Sequence, residues 1–178
     1  MNFLAAPLRR TTRASLVGLE RVPESATWRV VATATRFGCC HTHWTDGRTF
    51  PCLLPDAPCR PCELGLEKRF AAYLGCFNLS RRQDMVISVP EGAYLDCERL
   101  AGPEALDGKL RGTLWQFKRG GTRREKLQVE LLGREEDEAS IPAKLNVPVI
   151  LYRCWGLPAP AAAAPIVTRL MRTPEIRR

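Results

Sequence analysis

Gly38 to Cys62 reads GCCHTHWTDGRTFPCLLPDAPCRPC. Five of the eight cysteines of the chain, and both of its histidines, fall in this stretch. Packing alone is a poor reason for such crowding, because thiolates and imidazoles are the ligands that zinc prefers. Cys59-Arg-Pro-Cys62 is the tightest element. Two intervening residues let both sulfurs reach one metal while the backbone turns around it, and Pro55, Pro58 and Pro61 stiffen the approach. A tetrahedral site needs two further ligands, and spacing favours His43, Cys52, Cys59 and Cys62. The first ligand stays open between His43, His41, Cys39 and Cys40. Cys39 and Cys40 are neighbours and point to opposite faces of a strand, so at most one of them faces a metal easily. A closed four-ligand site is structural, and its binding energy is folding energy of about 10 kcal/mol. Disulfides and buried free thiols are the alternatives.

Working outward, Thr27 to Phe37 alternates with period two (Trp28, Val30, Ala32 against Arg29, Val31, Thr33) and predicts a strand leading directly into the metal segment. The metal loop is thus an insertion between strands. Ala14 to Arg21 predicts a short strand before it. After Cys62, Glu63 to Arg69 suits a helical turn. Phe70 to Leu79 and Asp84 to Val89 form a hairpin. A helix begins at Pro90-Glu91 and ends at Gly102-Pro103. Leu110 to Arg119 and Thr122 to Leu132 form a second hairpin across Gly120-Gly121. Asn146 caps a last helix with Pro148 in its first turn, stopped at Gly156. The expected fold class is α+β, mainly β: a small antiparallel OB-like barrel with an inserted zinc loop and short helices. Residues 1–13 read as a flexible basic arm and 14–156 as the OB-like domain, with the zinc subdomain at 38–69. Residues 157–165 read as an Ala/Pro linker and 166–178 as a basic C-terminal tail peptide suited to a protein partner.

The chain of 178 residues carries a net charge of +8, which points to a polyanionic partner. No apolar run is long enough for a membrane span, and MNFLAAPLRR lacks the charge order of a signal peptide. Cytoplasmic location, where thiols stay reduced, is expected. In the second hairpin Arg111, Lys118, Arg119, Arg123, Arg124 and Lys126 surround Trp115 and Phe117. Lys68, Arg69, Arg81 and Arg82 flank Tyr73 and Phe77 in the first. Cations neutralise phosphates and flat rings accept unstacked bases, so both hairpins are candidate surfaces for single-stranded nucleic acid. No phosphate-binding glycine loop or catalytic triad is present, and the deaminase His-x-Glu pattern is missing. A non-enzyme is expected.

A basic, strand-rich domain with one His and three Cys around an inserted zinc loop (His43, Cys52, Cys59, Cys62) resembles the single-stranded DNA-binding proteins of T-even phages, the helix-destabilising type. The resemblance covers the zinc segment and the general layout. It implies an OB-type barrel with one structural zinc and sequence-independent binding of single-stranded DNA in replication, recombination or repair. Those proteins end in an acidic tail, whereas this tail is basic. Two other functions are weighed: a zinc-stabilised adaptor of a nucleoprotein complex, and a metal-dependent nuclease using Asp46 or Asp56.

Overall fold

A computed structural model describes residues 17–54, 57–102, 108–122 and 125–157. The arm at 1–13, nearly all of the linker and the whole tail lie outside the described residues, as do Arg123 and Arg124. The elements are mostly strands: β1 (Leu19–Glu20), β2 (Thr27–Ala32), β3 (Gly38–Thr45), β4 (Arg48–Pro51), β5 (Arg69–Asn78), β6 (Gln83–Pro90), β7 (Thr113–Arg119) and β8 (Leu127–Arg134). Among the described residues three α-helices accompany them, α1 (Arg60–Glu63), α2 (Glu91–Ala101) and α3 (Val147–Cys154), with one 3-10 turn at Glu138–Ser140. The fold is α+β and mainly β. No helix among the described residues is long and apolar enough to cross a membrane.

One sheet contains all eight strands, and β5 is its centre. One edge of β5 pairs antiparallel with β6 from Ala71 to Asn78, and β1 lies parallel on the far side of β6. The other edge of β5 is shared. Its second half pairs with β2 (Val31↔Phe77) and its first half with β3 (Cys40↔Ala71). Between these two ladders residues 33–37 leave the sheet, and the amides of Thr33 and Ala34 both donate to the Gly75 carbonyl, at 2.9 and 3.1 Å. β2 and β3 are therefore one bent strand. Beyond the bend the sheet forks: β2 continues to β7 and β8, while β3 continues to β4.

Alternation sorts the side chains. Trp28, Val30, Leu74, Cys76, Met85, Ile87, Trp115 and Phe117 fill the inner face, together with Ala93, Tyr94 and Cys97 of α2. α2 packs against β5 and β6 on one side and β8 on the other, so the sheet curls around it. The sheet is open and mixed, running from β1 to β8 with no ladder between those edges among the described residues. The expected antiparallel order holds except for β1, which adds a parallel edge, and α2 sits inside the curl of the sheet. On the outer face α3 lies over Ala34, Cys40, Tyr73 and Val86. The approach is close: a Cβ on Gly75 would stand 2.7 Å from Val147 Cγ2. The Asn146 side chain caps α3 by accepting from the Val149 amide.

Two local expectations change. The segment after Gly38 is a strand pair rather than a loop. Asp46 (φ 50°) and Gly47 (φ 73°) occupy the left-handed region at its two-residue turn, the geometry that matches strand twist. The helical turn near 63–69 is displaced to Arg60–Glu63, inside the Cys59–Cys62 element itself.

Candidate metal centre and the groove beside it

His43 comes from β3, Cys52 follows β4, and Cys59 and Cys62 sit at the start and in the turn of α1. The backbone holds these pieces together. The Cys52 amide donates to the His41 carbonyl at 2.8 Å, and α1 turns on Glu63 donating to the Cys59 carbonyl at 3.1 Å. His43 Nε2 lies 3.6 Å from Cys59 Sγ and 3.3 Å from Cys62 Sγ, and the sulfurs of Cys52 and Cys62 are 3.5 Å apart. All four ligand atoms fall within 4.8 Å of one another. A tetrahedron with metal–sulfur bonds of about 2.3 Å and a metal–nitrogen bond of about 2.0 Å has edges of roughly 3.5–3.8 Å. A disulfide requires about 2.05 Å. The cage therefore fits a metal ion and does not fit a cystine.

The imidazole is oriented for this role. His43 Nδ1 lies 3.1 Å from the Glu67 carbonyl oxygen, so Nδ1 carries the proton and donates, and Nε2 presents its lone pair to the sulfurs. The ring itself is buried. Burial raises the Cys59 thiol, but hydrogen bonds from the Leu53 and Cys62 backbone and from the Cys62 and Cys52 side chains together hold it below its ordinary range, which favours a thiolate there, whereas burial and the neighbouring thiols push Cys62 up to about 11.

The other candidates for first ligand lie elsewhere. Cys39 points into the core and Cys40 lies under α3, on opposite faces as strand geometry demands. Burial pushes both thiols up to about 12. His41 is exposed, with its ring edge-on to Phe70.

The nucleic-acid candidates fare unequally. Tyr73, Phe77, Trp115 and Phe117 are all at most 1% exposed, so none of them offers a face to a base. Trp115 and Phe117 stack on each other in the inner core, 6.4 Å between centroids. Tyr73 meets Trp155 edge-on at 5.8 Å, and Phe77 packs with Val31 and Ile141. The sheet needed large side chains on both faces, which alternation in the sequence left undecided. Arg111 is also corrected. Its guanidinium is held by the carbonyls of Thr33 (3.0 Å), Pro142 (2.9 Å) and Ile141 (3.3 Å) and by the Glu138 carboxylate, so it ties the 138–142 segment to the sheet. Arg81 pairs with Glu20 at 2.8 Å and lies 4.7 Å over the Trp28 ring. Arg82 stands in the β5–β6 turn at φ 54°. Lys68, Lys118 and Lys126 are exposed, and Arg69 is exposed beside Glu67 at 3.0 Å.

The structure adds a surface that the sequence reading missed. A groove of about 350 Å³ lies next to the metal cage and is lined from β1, β3, β4, β5, β6 and the end of β7. Arg21, Arg69 and Arg119 line it, with the hydroxyls of Thr42, Thr49 and Ser88. Among the described residues lining it there is no carboxylate. Trp44 stands at its edge, 52% exposed, and His43 forms part of its wall. Arg21 reaches Thr49 Oγ1 at 3.4 Å, and Arg119 Nε is buried with no hydrogen-bond partner among the described residues. Trp44 follows His43 on β3 and so points to the opposite face. A lone tryptophan two residues before an Asp-Gly turn was the available signal. Arg21 and Arg119 are far apart in sequence, and nothing but the folded sheet brings them together. No protein-family model, no curated protein and no solved structure matches this chain.

Proposed function

We propose that the protein binds single-stranded nucleic acid, with DNA the expected form, and that one structural zinc braces the binding surface. The observation that carries the reading is the groove: three arginines, three hydroxyls and an exposed tryptophan, with no acid among its described lining residues. Guanidinium groups suit phosphates, and one accessible ring suits one base. Tyr73, Phe77, Trp115 and Phe117 drop out of the stacking role, and Trp44 takes it. Three cysteines and one imidazole favour zinc over harder cations. His43 and Trp44 are successive residues, and the Glu67 carbonyl that orients His43 lies two residues before Arg69. Metal binding thus fixes two sides of the groove.

Connectivity supports an OB-like reading of the sheet. The order β6-β5-β2-β7-β8, with α2 between β6 and β7, suits a partly open Greek-key barrel. In such a barrel the segment between β3 and β5, which holds the metal cage, and the turn between β7 and β8 flank the nucleic-acid face. The +8 charge and the reduced thiols fit work on a polyanion in the cytoplasm, in replication, recombination or repair. Polarisation of labelled oligo-dT tests the reading. Binding is expected to weaken steeply with salt, and Trp44→Ala to cost about 1–3 kcal/mol. Undiminished binding in a Trp44→Ala, Arg21→Ala, Arg119→Ala triple variant would overturn it.

A second reading rests on Leu54 and Leu64, 45% and 65% exposed on the metal knuckle. They suit an adaptor surface for another protein. Replacing both by Ser would then abolish partner capture and leave oligo-dT binding intact. Nothing similar favours a nuclease: four protein ligands complete a tetrahedron, and the Asp46 carboxylate accepts from the Thr45 hydroxyl at 3.2 Å.

A further inference from the structure

We infer that the metal cage is a redox-sensitive site: peroxides oxidise it at one pair of ligands, joining Cys52 to Cys62 and releasing the metal. The sequence points to a different pair, since Cys59 and Cys62 are separated by only two residues. Burial divides the ligands otherwise. His43 and Cys59 are sealed, at 1% and 2% exposed. Cys52 and Cys62 are half-buried, so the cage has a closed side and an open side. The two sulfurs on the open side lie 3.5 Å apart. An approach of about 1.5 Å brings them to bonding distance. The chain between them is already drawn in. The Cys52 amide donates to the His41 carbonyl at 2.8 Å, Ala57 to the Leu53 carbonyl at 3.0 Å, and Gly65 to the Cys62 carbonyl at 3.0 Å. Cys59 is the poorer partner. Its sulfur faces His43 Nε2 at 3.6 Å on the closed side and is tied by hydrogen bonds to the backbone at Leu53 and Cys62. Cys39, Cys40, Cys76 and Cys97 are buried, and Cys154 on α3 is exposed.

The chemistry takes two steps. One thiolate of the open pair attacks a peroxide oxygen, the O–O bond breaks, and a sulfenic acid forms as hydroxide leaves. The second thiolate attacks that sulfur, forms the S–S bond and expels another hydroxide. Two electrons pass from the two sulfurs to the two peroxide oxygens, which end as water after taking up two protons. Cys59 and His43 are then the only ligands left, half of a tetrahedron, so oxidation and metal release are one event. The consequence for the groove rests on the nucleic-acid reading above; the bridge itself does not. His43 precedes Trp44 on β3, and the Glu67 carbonyl that orients His43 precedes Arg69 by two residues. Losing the metal therefore frees two sides of the groove at once, and reduction with fresh zinc restores them.

The test uses the zinc-loaded full chain carrying Cys154→Ser, which removes the exposed thiol outside the cage. Hydrogen peroxide is added in steps. Zinc release is followed with a colorimetric indicator, and the bridge is located by alkylating free thiols, reducing, and alkylating again with a second reagent before fragment mapping. Zinc is expected to appear in equal amount to the bridge, with the second label on Cys52 and Cys62 and the first on Cys59. A bridge that includes Cys59, oxidation to sulfinic acid without a bridge, or a bridge formed with zinc still held would each overturn the inference. So would a chain that takes up no zinc. Polarisation of labelled oligo-dT on the same samples separates the two readings. Affinity should fall about tenfold on oxidation, the loss of roughly one stacked base, and return on reduction with zinc. If the bridge forms and zinc leaves while affinity holds, the redox site stands and the bracing of the groove by metal fails. If the untreated chain does not bind oligo-dT, the nucleic-acid reading fails, and the labelling pattern still decides the redox site.

Discussion

At the scale of single residues, identical side-chain types have opposite fates because of the face they occupy. Cys52, Cys59 and Cys62 gather about one point, whereas Cys39 and Cys40 are sealed on two sides of the sheet. The sealed thiols make a pH prediction. Burial raises both from 9.0 to about 12. The unfolded chain therefore sheds these protons first as pH rises. Stability should be flat below about pH 9 and fall between 9 and 12, by up to about 1.4 kcal/mol per thiol per pH unit. Denaturant unfolding of the wild type and of Cys39→Ala, Cys40→Ala checks this, the variant showing the shallower alkaline decline. Arg111 makes another prediction. Replacing it by Ala strands three carbonyls beneath the 138–142 segment and should cost about 3 kcal/mol of stability. Oligo-dT affinity of the folded variant should be unchanged, a combination that a phosphate-contacting arginine would not give. In the sequence Arg111 and Lys118 looked alike. Only the third dimension separates a structural clamp from a surface charge.

At the scale of elements, the sequence was most legible where period and punctuation agreed. β2, β5, β6, α2 and α3 lie close to where alternation, Pro90, Gly102, Asn146 and Gly156 place them. The hairpin of β3 and β4 was hidden by its own composition. Cysteine and histidine have no strong strand signature, and their ligand chemistry drew attention from the Asp-Gly turn. What α3 covers was not legible either, because an amphipathic helix announces an apolar face without naming the surface it meets. Gly75 is the place to test that packing. Gly75→Ala puts a methyl group 2.7 Å from Val147 Cγ2 and should lower stability by about 1–3 kcal/mol. Val147→Ala in the same chain should recover part of the loss. An unaltered melting temperature in Gly75→Ala would mean that α3 rides loosely on β5.

At the scale of the whole molecule, the metal cage and the second hairpin sit on different branches of the forked sheet. Removing metal with a chelator should therefore act unevenly. Hydrogen exchange is expected to quicken in β3, β4 and the first half of β5. β2, β7 and β8, held by Trp28, Trp115 and Phe117, should stay protected. Uniform loss of protection would show that the branches unfold as one. The overall class was legible because strand alternation and the Cys59–Cys62 spacing are local. Closure by α2, the parallel placement of β1 and the outer groove were not, because each depends on residues brought together from distant parts of the chain.

The shared edge of β5 makes that strand a seam. Two otherwise separate stretches of backbone are stitched to it end to end, with the Gly75 carbonyl as the common knot. A tug on the metal knuckle would run along this stitching and stop at the knot, so ligand-induced motion would be confined to one half of the molecule while the other serves as its anchor.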